Sequence, residues 1–289
     1  MKSIIIVSII FILIVIIPLM TILISNKIIS ISRYTITSDK IPEAFNNFKI
    51  LQLSDLHSKD FENNNEKLIE KIDKENPDVI FMSGDMVNLY DKNFEVLFKL
   101  IDNLSEKYTI YYILGNHEET LYDVDIDKIV NYLEERNVNV INNQKTELIK
   151  DNQKINLYGL GYNQKFYTQS GNKYGNNMEY TADVISNTLG SINKNEYNIL
   201  LTHNPLLFEA YSKWGVDLVF AGHIHGGVII IPFLGGLLSP EEKFFPKYYK
   251  GKYILNNSTM IVNAGLGNGK IPIRIFNRPD ISVITLKSN

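Results

Sequence analysis

The chain has 289 residues, a net charge of −3 and no basic excess, so it has room for one large α/β domain or two small ones, and its charge does not favour nucleic-acid binding. It contains no cysteine, which excludes thiolate metal ligands, a cysteine nucleophile and disulfides; any metal ligand must be imidazole, carboxylate or amide.

In chain order, the first feature is an uncharged run from Ile4 to Ile24, broken only by Ser8, Pro18 and Thr21. As a helix at ~1.5 Å per residue it would span ~30 Å, the hydrocarbon thickness of a bilayer. The run exceeds the ~7–15 residues of a signal-peptide core, and no alanine precedes Ala44 to make an A-x-A cleavage site. The expectation is an uncleaved, single-pass membrane anchor within residues 1–27, with residues 4–24 in the membrane. One domain over residues 28–289 would follow, on the extracytoplasmic side.

Beyond the anchor, Ile28–Thr37 alternates as a strand does, and Phe48–Leu53 forms the next apolar run. Glu66–Glu75 has a helical pattern that Asn76-Pro77-Asp78 stops, and the strand Val79–Met82 follows. Phe94–Leu104 reads as a helix, Tyr108–Leu114 as a strand and Ile126–Glu135 as a helix. This alternation is that of an α/β fold, whose ligands bind beyond the carboxyl ends of the strands. Val138–Ile141, Lys145–Ile149 and Ile155–Leu160 are then short and close together, as in a β-meander. Gly161–Met178 carries no period and reads as a surface loop, and Thr181–Leu189 as a helix. Asn198–Leu201, Val216–Phe220, Val228–Ile231, Met260–Asn263 and Ile281–Leu286 read as strands, and Pro232–Tyr253 as an aromatic, basic loop.

The five histidines all stand in polar clusters that close apolar runs. The clusters are Asp55-Leu56-His57, Gly115-Asn116-His117-Glu118, Thr202-His203-Asn204 and Gly222-His223-Ile224-His225; Gly84-Asp85 is a fifth of the same kind. Asp55, His57, Asp85, Asn116, His203, His223 and His225 are too many nitrogen and oxygen donors for one tetrahedral ion. Shared between two ions by a bridging carboxylate they make a dinuclear site, which can hold a hydroxide and suits in-line displacement at phosphorus. In an extended segment His223 and His225 would face opposite ways and so serve different ions.

In order and spacing these clusters resemble the motifs of the calcineurin-like metallophosphoesterases, from about Phe48 to the C-terminus. The anchor, the glycines after His225 and the tail Gly265-Leu266-Gly267…Pro272-x-Arg274…Arg278-Pro279-Asp280 resemble the family's membrane-anchored bacterial branch, which includes phosphodiesterases similar to UDP-2,3-diacylglucosamine hydrolase. The resemblance implies a four-layer αββα sandwich, the metallo-dependent phosphatase fold. It implies one divalent ion (Mn, Fe or Zn) on Asp55, His57, Asp85 and His225, and a second on Asp85, Asn116, His203 and His223. Asp85 bridges, and His117 contacts the phosphate or protonates the leaving oxygen. The implied substrate is a phosphodiester or pyrophosphate, a lipid-linked one among the candidates.

Two departures matter. The phosphoprotein phosphatases continue their second motif G-D-x-x-D-R-G, whereas here it reads Gly84-Asp85-Met86-Val87-Asn88-Leu89-Tyr90. The phosphate-binding arginine is absent, which argues against a phosphoprotein phosphatase. Asn88 replaces the carboxylate that would orient and charge the catalytic histidine; an amide can orient His117 but does little to stabilise its protonated form. A catalytically reduced, metal-binding scaffold on the same fold is the competing reading, against which stands a ligand set with every position filled.

Overall fold

The computed structural model describes residues 2–17, 19, 20, 22, 26–161, 180–269 and 271–289. The loop expected over Gly161–Met178 lies, apart from Gly161, outside them. The chain opens with α1 (Lys2–Phe11), after which the hydrogen bonding widens into a π-helical segment, Ile12–Ile16. Among the described residues no helix is long and apolar enough to cross a membrane. That finding overturns the expected single-pass anchor through residues 4–24 and the extracytoplasmic placement built on it. Lack of charge alone does not make a span: the unbroken helical stretch described, residues 2–17, rises at most ~24 Å, short of the ~30 Å hydrocarbon thickness.

The strands are β1 (Ser30–Ser38), β2 (Lys49–Leu53), β3 (Val79–Met82), β4 (Thr109–Tyr112), β5 (Asn139–Val140), β6 (Gln144–Lys150) and β7 (Gln153–Leu160). They continue with β8 (Asn198–Thr202), β9 (Leu218–Ala221), β10 (Ile230–Ile231), β11 (Gly235–Gly236), β12 (Gly251–Leu255), β13 (Ser258–Val262) and β14 (Asp280–Ser288). Two mixed sheets result, ordered β1-β14-β2-β3-β4-β5 and β12-β13-β9-β8-β7-β6, with β10-β11 as a small hairpin. In the first sheet β2, β3, β4 and β5 run parallel, and in the second β7, β8, β9 and β13 do.

Three apolar clusters hold the layers together. One lies between the sheets, where Ile50, Phe81 and Ile113 of the first meet Leu157, Leu201 and Phe220 of the second. On the outer face of the first sheet, Leu53, Ile80 and Met82 pack under α2 (Glu66–Glu75), α3 (Glu95–Ser105) and, beyond the short α4 (Asn116–Glu119), α5 (Asp123–Glu134). α3 buries Leu97, Leu100, Ile101 and Leu104, the 3-and-4 spacing of a one-faced helix. On the outer face of the second sheet, Leu200, Val219 and Met260 pack under α6 (Ala182–Leu189) and α7 (Phe208–Trp214). The layers therefore run helix, sheet, sheet, helix. The inner strands are covered on both faces, which is why β3 (Val-Ile-Phe-Met) and β9 (Leu-Val-Phe-Ala) are apolar at every position.

The meander expected over 138–160 does not form. β5 pairs parallel to β4 at the edge of the first sheet, whereas β6 and β7 form a hairpin in the second. The chain changes sheets between Val140 and Gln144, and a two-residue edge strand carries no pattern that assigns it to one sheet. β12 begins within the segment expected to be loop: its exposures alternate along an edge, and its sequence, Gly-Lys-Tyr-Ile-Leu, mixes polar and apolar residues.

Candidate metal centre

The site lies where β2, β3, β4, β8 and β9 end, so that both sheets contribute to one edge. Each apolar strand stops, and the next few residues turn sharply enough to aim a polar side chain back along the sheet. Asp55, His57, Asp85, His223 and His225 all take left-handed backbone conformations, with φ of 50, 48, 53, 71 and 52°. Each is an unfavourable state for a residue with a Cβ, costing roughly 1–3 kcal/mol, and persists where surrounding contacts over-determine it. The glycines let the turns touch: a Cβ on Gly222 would lie 1.9 Å from Ser54 Oγ and 2.4 Å from Asp55 Oδ2.

All eight expected site residues come together at this edge. Asp55, His57 and His225 offer atoms mutually within 4.8 Å, as do His57, Asp85 and His117, and Asp85, His203 and His223. Asp85 thus belongs to two of the three sets. His57 Nε2 and His225 Nε2 stand 3.1 Å apart, and His225 Nε2 is 3.5 Å from Asp55 Oδ1. His203 Nε2 is 3.2 Å from Asp85 Oδ2 and 3.2 Å from His223 Nδ1. Separations of ~3 Å are the edges of a polyhedron whose metal–ligand bonds are ~2.1 Å. The Asn116 Oδ1 atom is buried and accepts no hydrogen bond among the described residues, as befits an amide oxygen facing a cation. The donor set therefore fits two divalent ions. His223 and His225 join different sets, as expected, but not through strand alternation: the segment is a pair of left-handed residues opening a tight turn.

Electrostatics agree with the geometry. Burial works against ionisation of Asp85, yet the charge of His203, its hydrogen bond, and the rings of His117 and His57 hold this carboxyl well below the usual carboxylate range. Burial opposes the charge on His203 too, but Asp85, Asp55 and the Ser83 carbonyl outweigh it and raise its pKa to about 10. Burial keeps His57 and His225 below the ordinary histidine range, so both present neutral rings.

Asn88 does not orient His117. Its Nδ2 donates to the His57 carbonyl at 2.8 Å and to Asp91 Oδ1 at 3.4 Å. The neighbouring Leu89 N–H instead donates to His117 Nδ1 at 3.1 Å, placing the ring proton on Nε2. No residue-type signal could have announced this, because the donor is backbone.

Glu118 is the functional residue whose role the sequence did not reveal. Fully buried, it accepts the N–H groups of Asp85, Met86, Val87 and Gly115 at 2.6–3.3 Å and the Tyr112 hydroxyl at 2.8 Å. It ties the turn after β3 to the turn after β4. Burial and the nearby charge of Asp85 push its carboxyl up to about 7, against the pull of the Tyr112 hydroxyl. A cavity of about 610 Å³ opens above the centre, with Asp85, Asn116 and His117 on its floor and Val228, Leu238 and Ile273 among its walls.

Comparison with known proteins adds to this geometry. Residues 48–227 match the family model of the calcineurin-like phosphoesterases. The chain is 29% identical over 264 residues to the uncharacterized metallophosphoesterase YkuE of Bacillus subtilis, covering 90% of this chain and 86% of that one. It is 27% identical over 263 residues to an uncharacterized metallophosphoesterase of Aquifex aeolicus, covering 89% and 91%. Among solved structures, TT1561 of Thermus thermophilus shares 14% identity and a TM-score of 0.49 over 76% of this chain and 90% of that one.

Two outcomes are expected. Glu118→Ala strands four buried N–H groups, each costing ~1–3 kcal/mol unpaired, so urea denaturation should register a loss of ~3 kcal/mol or more. At pH 8 an ordinary histidine is already neutral, whereas His203, with a pKa of about 10, still holds its proton. Binding of divalent ions at pH 8 should therefore release close to one proton from His203, read by calorimetry in buffers of different ionisation enthalpy.

Proposed function

The chain belongs to the calcineurin-like phosphoesterase family, and we propose that it hydrolyses a phosphodiester or pyrophosphate, lipid-linked in its natural form, at a centre holding two divalent ions. The observation that carries this reading is the meeting of two ligand sets at Asp85 beneath one cavity. Asp55, His57, Asp85 and His225 would hold one ion, and Asp85, Asn116, His203 and His223 the other. Such a pair supplies Lewis acidity toward phosphoryl oxygens and a nucleophile at neutral pH; Mn, Fe and Zn all suit these donors.

The chain's own groups do the rest. Asp85 Oδ1 accepts the His117 backbone N–H at 2.8 Å, which leaves Oδ2 to face the imidazoles and fixes where both ligand sets meet. His117 Nδ1 is occupied by the Leu89 N–H, so Nε2–H is its one ring donor toward the cavity. A ring in that state donates a hydrogen bond to a phosphoryl oxygen; protonating Nδ1 would turn two donors against each other. His117 is therefore a phosphate-positioning donor here and not the acid for the leaving oxygen. Apolar walls beside that floor support a substrate whose phosphate carries a hydrocarbon-bearing group.

The test is a panel of substrates with the full chain and Mn, Zn or Fe(II). An acylated nucleotide-sugar pyrophosphate should exceed its deacylated counterpart in kcat/KM by at least about tenfold, since each buried methylene contributes ~0.8 kcal/mol. Equal rates on the two would remove the lipid-linked reading, and no metal-dependent turnover of any diester or pyrophosphate would leave the scaffold reading. His117→Ala should lower kcat by ~10²–10³, the cost of one positioned donor, and by similar factors for aryl and alkyl leaving groups. A loss concentrated on alkyl leaving groups would assign His117 to proton donation instead.

A further inference from the structure

His223 is held from its far side by a residue outside the span that matches the family model. Its Nε2 lies 2.6 Å from Glu241 Oε1, and the two side chains are only 3% and 4% exposed. Its other nitrogen, Nδ1, faces His203 Nε2 at 3.2 Å, within the ligand set that includes Asp85. The two ring nitrogens thus have separate tasks. A carboxylate accepts, so the ring proton sits on Nε2 and the lone pair of Nδ1 is turned into the centre. His57, His203 and His225 instead turn Nε2 toward the centre, and the Nδ1 of His203 bonds the Ser83 carbonyl at 2.7 Å. A carboxylate of this chain backs His223 where a neutral carbonyl backs His203.

Glu241 is presented rigidly. Leu237 and Leu238 both donate to the Gly227 carbonyl, at 3.2 and 3.0 Å, which fastens the loop to the turn that carries the two histidines. Glu242 N–H donates to the Ser239 carbonyl and Ser239 N–H to the Lys243 carbonyl, each at 2.9 Å, closing a compact turn around Glu241. The same turn contributes Ser239, Pro240 and Glu242 to the cavity wall.

We propose that Glu241 is a positioning residue for the second ion: it fixes His223 in the Nε2–H tautomer and so makes Nδ1 the ligand atom. This rests on His223 being a ligand, and it adds a carboxylate that neither the cluster pattern nor the matched span contains. Partners that orient a ligating histidine in this way are each worth about 10–100-fold in metal affinity.

The probe is Co²⁺, titrated into chelator-stripped full-length protein and followed by visible absorption and elemental analysis. In Glu241→Ala, one of the two sites should weaken by about 10–100-fold while the other stays within about twofold. Glu241→Gln, isosteric and still able to accept the Nε2–H bond without a charge, should fall between that and the wild type; it decides the matter if the alanine variant fails to fold. Nitrogen-15 spectra of the metal-free protein give a second readout. His223, assigned by comparison with His223→Ala, should show Nε2 protonated in the wild type and lose that preference in Glu241→Ala, a change that a merely structural glutamate would not produce. Two Co²⁺ sites of wild-type strength in both Glu241 variants, with one lost in His223→Ala, would overturn the role of Glu241 alone. Two full-strength sites in His223→Ala would overturn the assignment of His223 as a ligand, and this inference with it.

Discussion

A single buried carboxylate holds the centre in shape. Glu118 gathers four backbone N–H groups and a tyrosine hydroxyl from two neighbouring strand ends, so neither turn can relax without leaving donors unsatisfied in the core. That is what makes the left-handed backbone at Asp85 tolerable. It also sets the spacing of the turns so closely that a Cβ on Gly115 would lie 2.3 Å from Asp85 Oδ1. The strain of the site is met by contacts beneath it, on rigid strand ends.

Charge balance follows from the same crowding. Asp55 and Asp85 are buried amid imidazoles, and the buried guanidinium of Arg274, engaged by the carbonyls of Ala264 and Gly267, sits close enough to Asp55 for the two charges to attract. Burial lowers that arginine to about 10 while Asp55 and Asp280 oppose the loss of its charge. In the metal-free chain His203 holds a proton against Asp85, where a divalent ion would supply positive charge more effectively. Competition between proton and ion is therefore built into the donor set.

The polar floor and the apolar wall of the cavity come from different parts of the chain. The polar floor comes from five strand ends within residues 48–227, the part that matches the family model. Much of the apolar wall comes from the loops after it, including Leu238, Ile271 and Ile273. A phosphoryl group needs fixed charges at fixed distances, which strand ends deliver. The remainder of a substrate needs a surface that can change, which loops deliver.

The sequence by itself determined the strand–helix alternation and singled out eight residues that the fold brings together at one edge. Short apolar runs bounded by turn residues, such as Val79–Met82, read as strands covered on both faces, and in parallel strands the histidines that close such runs gather at one edge. Charge-free composition was a poorer guide: it suggested a membrane span at Ile4–Ile24 that no helix among the described residues supplies, because a span requires continuous helical length as well as apolarity. Only the tertiary structure decided that β5 leaves β6 and β7 for the other sheet, that a backbone N–H rather than Asn88 holds His117, and that Glu241 reaches His223 from eighteen residues away. These contacts depend on distances between segments that no local period encodes. A side chain's partner across a turn is set by how the two sheets pack.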